Sequence, residues 1–123
     1  MFGEGPDKRI HILDNVITGC GFGIFAVNGS PGMNLQIQKN RLYANIDGIF
    51  LLGLQDSKIV GNSANVNDML GIALIGYSSG NKVLHNIATG NGIVDMFQDP
   101  DGTQNMWLGN TCELSEGDEI DCP

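Results

Sequence analysis

The sequence predicts an all-β fold, a right-handed parallel β-helix of about five coils with 22–25 residues each. Three observations lead to this fold class: a motif that recurs five times, an apolar segment that follows the first copies, and a composition rich in turn-forming glycine and asparagine. The chain of 123 residues is long enough for one domain with a modest core. We expect a short N-terminal segment (1–8), the β-helix (9–112) and a capping tail (113–123).

The recurring motif has the form apolar-x-x-Asn-x-apolar, and its asparagines are 25, 22, 24 and 24 residues apart. They are Asn15, Asn40, Asn62, Asn86 and Asn110. An amide side chain both donates and accepts hydrogen bonds, so amides stacked one coil apart can bond to one another and to the turn backbone. Asparagine also tolerates the left-handed backbone conformation of tight turns. We therefore interpret the five asparagines as a structural ladder. A second asparagine follows five residues later in three copies, and Cys20 has that place in the first.

The period selects a β-helix among repeat proteins. A unit of this length holds three short strands and three turns, and it contains no amphipathic helical stretch. Leucine-rich repeats have a similar period, but their L-x-x-L-x-L signature is missing. Successive coils are expected to stack at the strand spacing of about 4.8 Å.

An apolar strand follows the first three copies, at residues 23–27, 48–52 and 71–75, and a degraded version lies at 94–97. Alternation along a strand assigns one set of side chains to the core: Ile24, Ala26, Ile49, Leu51, Ile72 and Leu74. The opposite set faces outward: Phe25, Val27, Phe50, Leu52, Ala73, Ile75, Met96 and Gln98. Strands that are apolar on both faces are usually covered on both, so we expect this outer face to contact another copy of the chain or a further part of a longer chain. Its main contact residues are Phe25, Phe50, Leu52 and Ile75. A stacking platform for sugar rings, built on Phe25 and Phe50, is the alternative.

The charge balance limits the partners. The chain has 14 acidic and six basic residues and a net charge of −8, which repels nucleic acid and anionic membrane surfaces. A polyuronate would be repelled as well, unless divalent cations bridged the carboxylates.

No apolar run approaches the roughly 20 residues of a membrane span. Residues 1–9 lack the basic and apolar regions of a signal peptide, so a signal was removed or absent, or the chain is a piece of a longer protein.

Three cysteines are too few for a disulfide scaffold. Cys112 and Cys122 are ten residues apart in the tail and are expected to pair, which leaves Cys20 over. Cross-linked in this way, the acidic tail would cover the last coil, whose strand edges need a cap.

The repeat resembles the right-handed parallel β-helix repeats of the pectate-lyase-like superfamily. It is closest to the divergent copies in periplasmic copper-maturation accessory proteins and in many secreted bacterial proteins. Residues 105–112, with Cys122 and Pro123, are similar to the last coil and closing tail of those proteins. The likeness covers about residues 9–122. It implies an extracellular or periplasmic location, and it implies that an active site would lie on the outer face of the sheet formed by the apolar strands.

Catalytic signatures of that superfamily are missing. The Asn-Thr-Asp, Asp-Asp and Gly-His-Gly set of polygalacturonases does not occur, nor does the Asp-Pro-His element of mannuronan epimerases. The superfamily contains lyases, hydrolases, epimerases and adhesins, so the likeness specifies the fold better than the function. We expect a protein that is not an enzyme on its own. A polysaccharide lyase or epimerase acting on uronate glycans is the alternative, with Asp95 and Arg41 as weak catalytic candidates.

Asp95 takes the place that isoleucine has in the other coils, so its carboxylate is expected to point toward the core. A buried carboxylate is costly unless hydrogen-bond donors satisfy it. Either Asp95 is an acid or a cation ligand, or the last coil loosens there and Asp95 bonds to backbone amides of the tail. We favour the second interpretation.

No cofactor is predicted. Asp99 and Asp101 lie in a turn and are weak candidates for calcium, but the full spacing of a calcium loop is missing. His11 and His85 lie in different coils without paired ligands, which argues against zinc or copper. The sequence therefore favours a self-associating β-helix module that forms homo-oligomers and is associated with polysaccharide.

Overall fold

The structure is a computed structural model that describes residues 8–27, 33–117, 119–120 and 122. Apart from Lys8, the predicted N-terminal segment lies outside these residues. Within them the chain forms 15 short strands. Among these same residues there is no helix with the length and apolarity that a membrane span requires.

The strands form three parallel five-stranded sheets, and each sheet takes every third strand of the chain. Sheet 1 consists of β1 (Lys8–Leu13), β4 (Met33–Gln38), β7 (Lys58–Val60), β10 (Lys82–Leu84) and β13 (Met106–Leu108). Sheet 2 consists of β2 (Val16–Thr18), β5 (Arg41–Tyr43), β8 (Ser63–Asn65), β11 (Ile87–Ala88) and β14 (Thr111–Cys112). Sheet 3 consists of β3 (Phe22–Val27), β6 (Asp47–Leu52), β9 (Leu70–Ile75), β12 (Val94–Gln98) and β15 (Ser115–Glu116).

One strand from each sheet makes a coil. Each coil lies directly on its predecessor: Ile12 is opposite Ile37, and Ile37 is opposite Ile59. Four coils are complete, and the fifth (β13–β15) is short, since its second and third strands have two residues each. The predicted parallel β-helix is confirmed, with four coils and a short fifth where about five were expected.

Inward-facing side chains stack in columns along the axis of the solenoid. In sheet 1, Ile37, Ile59 and Val83 are fully buried, and Trp107 closes the column in the fifth coil. Sheet 3 contributes the predicted core residues, which are all buried: Ile24, Ala26, Ile49, Leu51, Ile72 and Leu74. Burial of a large aliphatic side chain contributes about 1.5–3 kcal/mol relative to its exposure. These columns therefore provide the main driving force for coiling.

Tight corners join sheet 1 to sheet 2 and position the ladder asparagines. The residue before each asparagine has a left-handed backbone, with φ of 57° at Asp14, 58° at Lys39 and 55° at His85. Glycine takes this place at Gly61 and Gly109, where the conformation has no steric cost. The five asparagines, all within the described residues, do not have positive φ. The ladder therefore does not depend on the tolerance of asparagine for the left-handed conformation, and the role of the five residues lies in side-chain hydrogen bonds.

Candidate functional site

The five predicted ladder asparagines stack in one row. Each Oδ1 after the first accepts hydrogen bonds from the backbone N–H and the Nδ2 of the asparagine one coil before, at 2.8–3.1 Å. The Nδ2 groups also donate to backbone carbonyls of the preceding coil, as Asn62 does to Ile37 at 2.8 Å. The ladder is confirmed, and its inner amides have no hydrogen-bonding capacity left for a ligand.

Two further ladders run along the other corners, and their asparagines bond to one another in the same way. The second comprises Asn45, Asn67 and Asn91. The third comprises Ser57, Asn81 and Asn105. Ser57, at the first rung of the third ladder, bonds to Asn81 through its backbone N–H alone. The second column is visible in the sequence, whereas the third was not predicted. Its signal was present, because each of its residues lies five positions before an asparagine of the first ladder.

Asp95 ends the second ladder. Its Oδ1 accepts hydrogen bonds from the N–H and the Nδ2 of Asn91, at 3.1 and 2.8 Å, and its Oδ2 accepts from the N–H groups of Glu113 and Leu114, both at 3.0 Å. The residue is only 2% exposed. Burial raises the pKa of Asp95, but the hydrogen bonds from Asn91, Leu114 and Glu113 outweigh burial, so the pKa lies below its ordinary value. The carboxylate is thus held in its charged form at the start of the tail.

The predicted position of Asp95 along its strand is wrong by one residue. Met96, not Asp95, lies opposite Ile72, and Asp95 falls in the column that holds glycine in the earlier coils. A Cβ added at Gly71 would come within 2.7 Å of Asn91 Nδ2, because the ladder amide of the next coil fills that space. The fifth coil supplies no asparagine to this ladder, so the space stays open for a side chain. The carboxylate of Asp95 replaces the missing amide.

The same shift moves two residues from the predicted outer face into the core. Met96 is fully buried and Gln98 is 5% exposed. Gln98 Oε1 accepts hydrogen bonds from Trp107 Nε1 at 2.6 Å and from Asn105 Nδ2 at 3.2 Å, so Gln98 ends the third ladder. Its Nε2 donates to Glu119 Oε1 at 2.6 Å. Gln98 therefore connects the core, the ladder and the tail.

The outer face of sheet 3 is apolar and partly aromatic. One column contains Phe25, Phe50, Ala73 and Phe97, and its neighbour contains Val27, Leu52 and Ile75. Phe22, which was not predicted, joins the rings: its centroid is 4.8 Å from that of Phe25 and 5.3 Å from that of Phe50. Phe22 and Phe25 are 45% and 42% exposed. We call Phe22, Phe25 and Phe50 the aromatic patch. Exposed aliphatic side chains flank this face at the corner to sheet 2: Ile46, Met69 and Ile93.

The two catalytic candidates lie two coils apart and do not form a site together. Asp95 is buried, and both of its oxygens accept hydrogen bonds. Arg41 is exposed on the outer face of sheet 2, opposite Ser63. There it lines a groove of about 390 Å³ together with Tyr43, Ser63 and Asn65.

Asp99 and Asp101, the calcium candidates, lie in a turn after β12. Asp99 Oδ2 accepts a hydrogen bond from the N–H of Gly76 at 2.7 Å, and its Oδ1 accepts one from the N–H of Asp101 at 3.2 Å. The bond to Asp101 is that of an ordinary turn, and the bond from Gly76 ties the turn to the preceding coil. In the part of the chain that the structure describes, no three Asp, Glu, His or Cys side chains are placed to hold a metal ion.

The tail closes the C-terminal end of the solenoid. A disulfide joins Cys112 to Cys122. Cys112 belongs to the core, and Ile120 and Cys122 pack against it. β15 pairs with β12 and so continues sheet 3 by one strand. Cys20 is exposed at the opposite end and forms no disulfide.

Comparison with known proteins supplies one match. The family model described as "Right handed beta helix region" matches residues 4–116. Neither the curated proteins nor the solved structures that were compared with the chain gave a match. The matched range includes all five copies of the motif.

Proposed function

Because this chain belongs to the right-handed β-helix family, we propose that it is a self-associating module that buries the outer face of sheet 3 against a second copy of itself. Membership fixes the fold, while the function depends on the surface residues. The observation that carries the proposal is the aromatic patch, which lies on the first two coils and continues into the aliphatic columns of that face.

The pattern of sheet 3 supports a covered face. A sheet with one face in water normally alternates apolar and polar residues. β6 and β9 do not alternate, since Phe50, Leu52 and Ile75 all face outward. Contiguous exposed apolar surface marks sites of interaction. Two large rings that are more than 40% exposed would gain several kcal/mol from burial in a partner surface.

Charge supports a second copy as the partner. Two chains of net charge −8 repel each other unless the surfaces that meet carry little charge. Asp47, the one acidic residue within the strands of this face that precede β12, is 7% exposed, and its Oδ1 accepts a hydrogen bond from the N–H of Leu70 at 3.1 Å. A two-fold axis would then bring an apolar face against an identical one.

Light scattering coupled to size-exclusion chromatography tests self-association. We expect the wild-type chain to run as a dimer or larger and Phe25→Asp to run as a monomer. Leu108→Asp is the matched control, because Leu108 is 56% exposed on sheet 1 and its replacement should leave the oligomer intact. A wild-type chain that stays monomeric over the whole concentration range would show the proposal to be wrong.

We also propose that the module is associated with polysaccharide, in an extracellular or periplasmic location. A cleft of about 460 Å³ beside the end of β12 is lined by an aromatic ring, amides and carboxylates, among them Phe97, Gln98, Gln104 and Glu116. Such groups suit the ring faces and hydroxyls of sugars. The disulfide supports an oxidising compartment.

Depletion of the protein from solution by insoluble polysaccharides tests the association with polysaccharide. If none of the polysaccharides depletes the protein, the proposal is contradicted.

A lyase or epimerase acting on uronate glycans is the alternative that we do not favour. The separation of Arg41 from the saturated carboxylate of Asp95 supports a module without catalysis of its own. Incubation with pectate and alginate in the presence of calcium distinguishes the two, with the absorbance of unsaturated products as the readout for a lyase and the proton NMR spectrum of the uronate residues as the readout for an epimerase. We expect no signal above a buffer control. A strong signal that disappears in Arg41→Ala would reverse our preference.

A further inference from the structure

We infer that the groove on the outer face of sheet 2, centred on Arg41 and Tyr43, binds an acidic sugar unit, one that carries a carboxylate or a sulfate. This inference rests on the proposed association with polysaccharide. It names the class of sugar and the place of contact, on a different face from the aromatic patch.

Two adjacent strands build the groove. β5 and β8 pair so that Arg41 lies opposite Ser63 and Tyr43 lies opposite Asn65. All four side chains point outward, because the residue between them on each strand is fully buried in the core. With corner residues at one edge, the groove encloses about 390 Å³. That volume is within the range of small-ligand sites, about 300–1,000 Å³.

The polar groups of the groove are mainly hydrogen-bond donors. Asn65 Oδ1 accepts hydrogen bonds from the N–H and the Oγ1 of Thr89, at 2.9 and 3.2 Å, which fixes the amide and leaves its Nδ2 for a ligand. Within residues 8–27 and 33–117, neither this Nδ2 nor the Arg41 guanidinium nor the Ser63 hydroxyl donates to another protein group. The inner ladder amides, by contrast, are saturated. A concave surface with three available donors favours a ligand rich in acceptor oxygens.

The charges of the residues in the groove favour an anionic ligand. The chain as a whole is acidic, yet none of the residues that line the groove is acidic. The cationic side chains that the structure describes lie on sheets 1 and 2 or at the corner between them: Lys39, Arg41, Lys58 and Lys82. The planar fork of arginine binds carboxylate or sulfate through two parallel hydrogen bonds.

Tyr43 favours a sugar over a simple anion as the ligand of the groove. Its side chain is 43% exposed and lines the groove next to the donors. An aromatic ring offers its face to the C–H groups of a sugar and its hydroxyl to a neighbouring oxygen. An arginine for the acid group, a ring for the sugar face and two small donors for hydroxyls together match one acidic sugar residue.

NMR titration tests the site directly. Isotopically labelled protein is titrated in calcium-free buffer with a short oligogalacturonate, with its carboxyl-reduced neutral counterpart, and with a short sulfated galactan. We expect the amide signals of 41–44 and 63–66 to shift with at least one acidic ligand. Affinity should fall with added salt. Arg41→Ala should weaken binding at least about tenfold, as the loss of charge-assisted hydrogen bonds predicts.

Lys82→Ala is the matched control, because it removes the same charge from an exposed position on sheet 1 and should retain the wild-type affinity. If acidic ligands bind but Arg41→Ala binds as tightly as the wild type, the groove is not the site and the polysaccharide association stands. Equal affinity for the neutral ligand overturns the acidic-sugar inference alone. If no ligand binds and no polysaccharide retains the protein, both proposals fail.

Discussion

A single carboxylate shows how this solenoid compensates for a ladder asparagine that its fifth coil lacks. In the inner coils, the acceptor for each ladder amide is the Oδ1 of the asparagine in the next coil. After Asn91 there is no next asparagine, and Asp95 supplies that oxygen from its own strand. Its second oxygen accepts hydrogen bonds from two backbone N–H groups of the tail. One residue therefore ends the ladder and anchors the cap.

We expect Asp95→Asn to lower the free energy of unfolding by about 1–3 kcal/mol, because the new amide would turn a donor toward the N–H groups of Glu113 and Leu114. Urea unfolding, followed by the fluorescence of the single tryptophan, measures this loss. Asp101→Asn is the control, since Asp101 is exposed and its carboxylate should contribute little. Equal unfolding energies for the two variants would contradict the role given to Asp95.

The same contact makes part of the stability depend on pH. Because the pKa of Asp95 is lower in the folded chain than its ordinary value, its contribution is complete above the unfolded pKa of about 3.9. The contribution is lost as the pH falls through the still lower folded pKa. Between about pH 5 and about pH 2, the wild type should lose more stability than Asp95→Asn. Parallel acid-unfolding curves for the two proteins would rule this out.

At the scale of elements, the hydrogen bonds of the ladders join each corner to the corresponding corner of the next coil. Asn62 accepts two hydrogen bonds from Asn40 and donates to Ile37 and Asn86. Asn15, at the first rung, donates to a single neighbour. A rung in the middle of the row thus satisfies more buried groups than a rung at its end.

This difference predicts a dependence on position. We expect Asn62→Ala to lower the free energy of unfolding by at least about 3 kcal/mol, because several buried donors and acceptors lose their partners. Asn15→Ala, with the same chemical change, should cost about 1 kcal/mol or less. Thermal unfolding monitored by circular dichroism compares the two. Similar losses at both rungs would mean that the amides do not act as a bonded row.

The repeating elements could be predicted from the sequence, and the last copy could not. The five asparagines fix the period, and the apolar strands fix the inward columns of the first three coils. The number of corner residues varies, however: one residue separates Asn45 from β6, whereas two separate Asn67 from β9. In the third copy, Gly71 still marks the start of the alternating pattern, whereas in the fourth copy Asp95 replaces that glycine. Without this marker the alternation was placed one residue too early, so the predicted face of Met96 and Gln98 is wrong.

The candidate sites were less predictable than the fold. Phe25 and Phe50 follow from strand alternation, but Phe22 lies at the start of its strand, where the pattern is not yet established. The sequence indicates Arg41 but not its partners, because Ser63 and Asn65 become its neighbours only when the coils are stacked in register. Sites on a solenoid are assembled from residues about one period apart, so their chemistry emerges only from the stacked coils.

At the scale of the whole molecule, the tail closes the C-terminal end of the solenoid. The C-terminal end is covered by a tail that is bonded to Asp95 and Gln98 and cross-linked by the disulfide. We expect Cys122→Ser to lower the free energy of unfolding by about 2–3 kcal/mol and to open the tail to limited proteolysis. Cys20→Ser, at an exposed position, is the control and should change neither property. A tail that remains resistant without the disulfide would show that hydrogen bonds and packing suffice.

The rows of amides also share one direction. In every inner rung the amide oxygen faces the preceding coil, and one of the two Nδ2 hydrogens points toward the following coil. The amide dipoles therefore add along the axis instead of cancelling. The positive pole of the second row meets the negative charge of Asp95, as an acidic side chain meets the positive pole of an α-helix. The rod consequently has an electrical polarity as well as a chain direction.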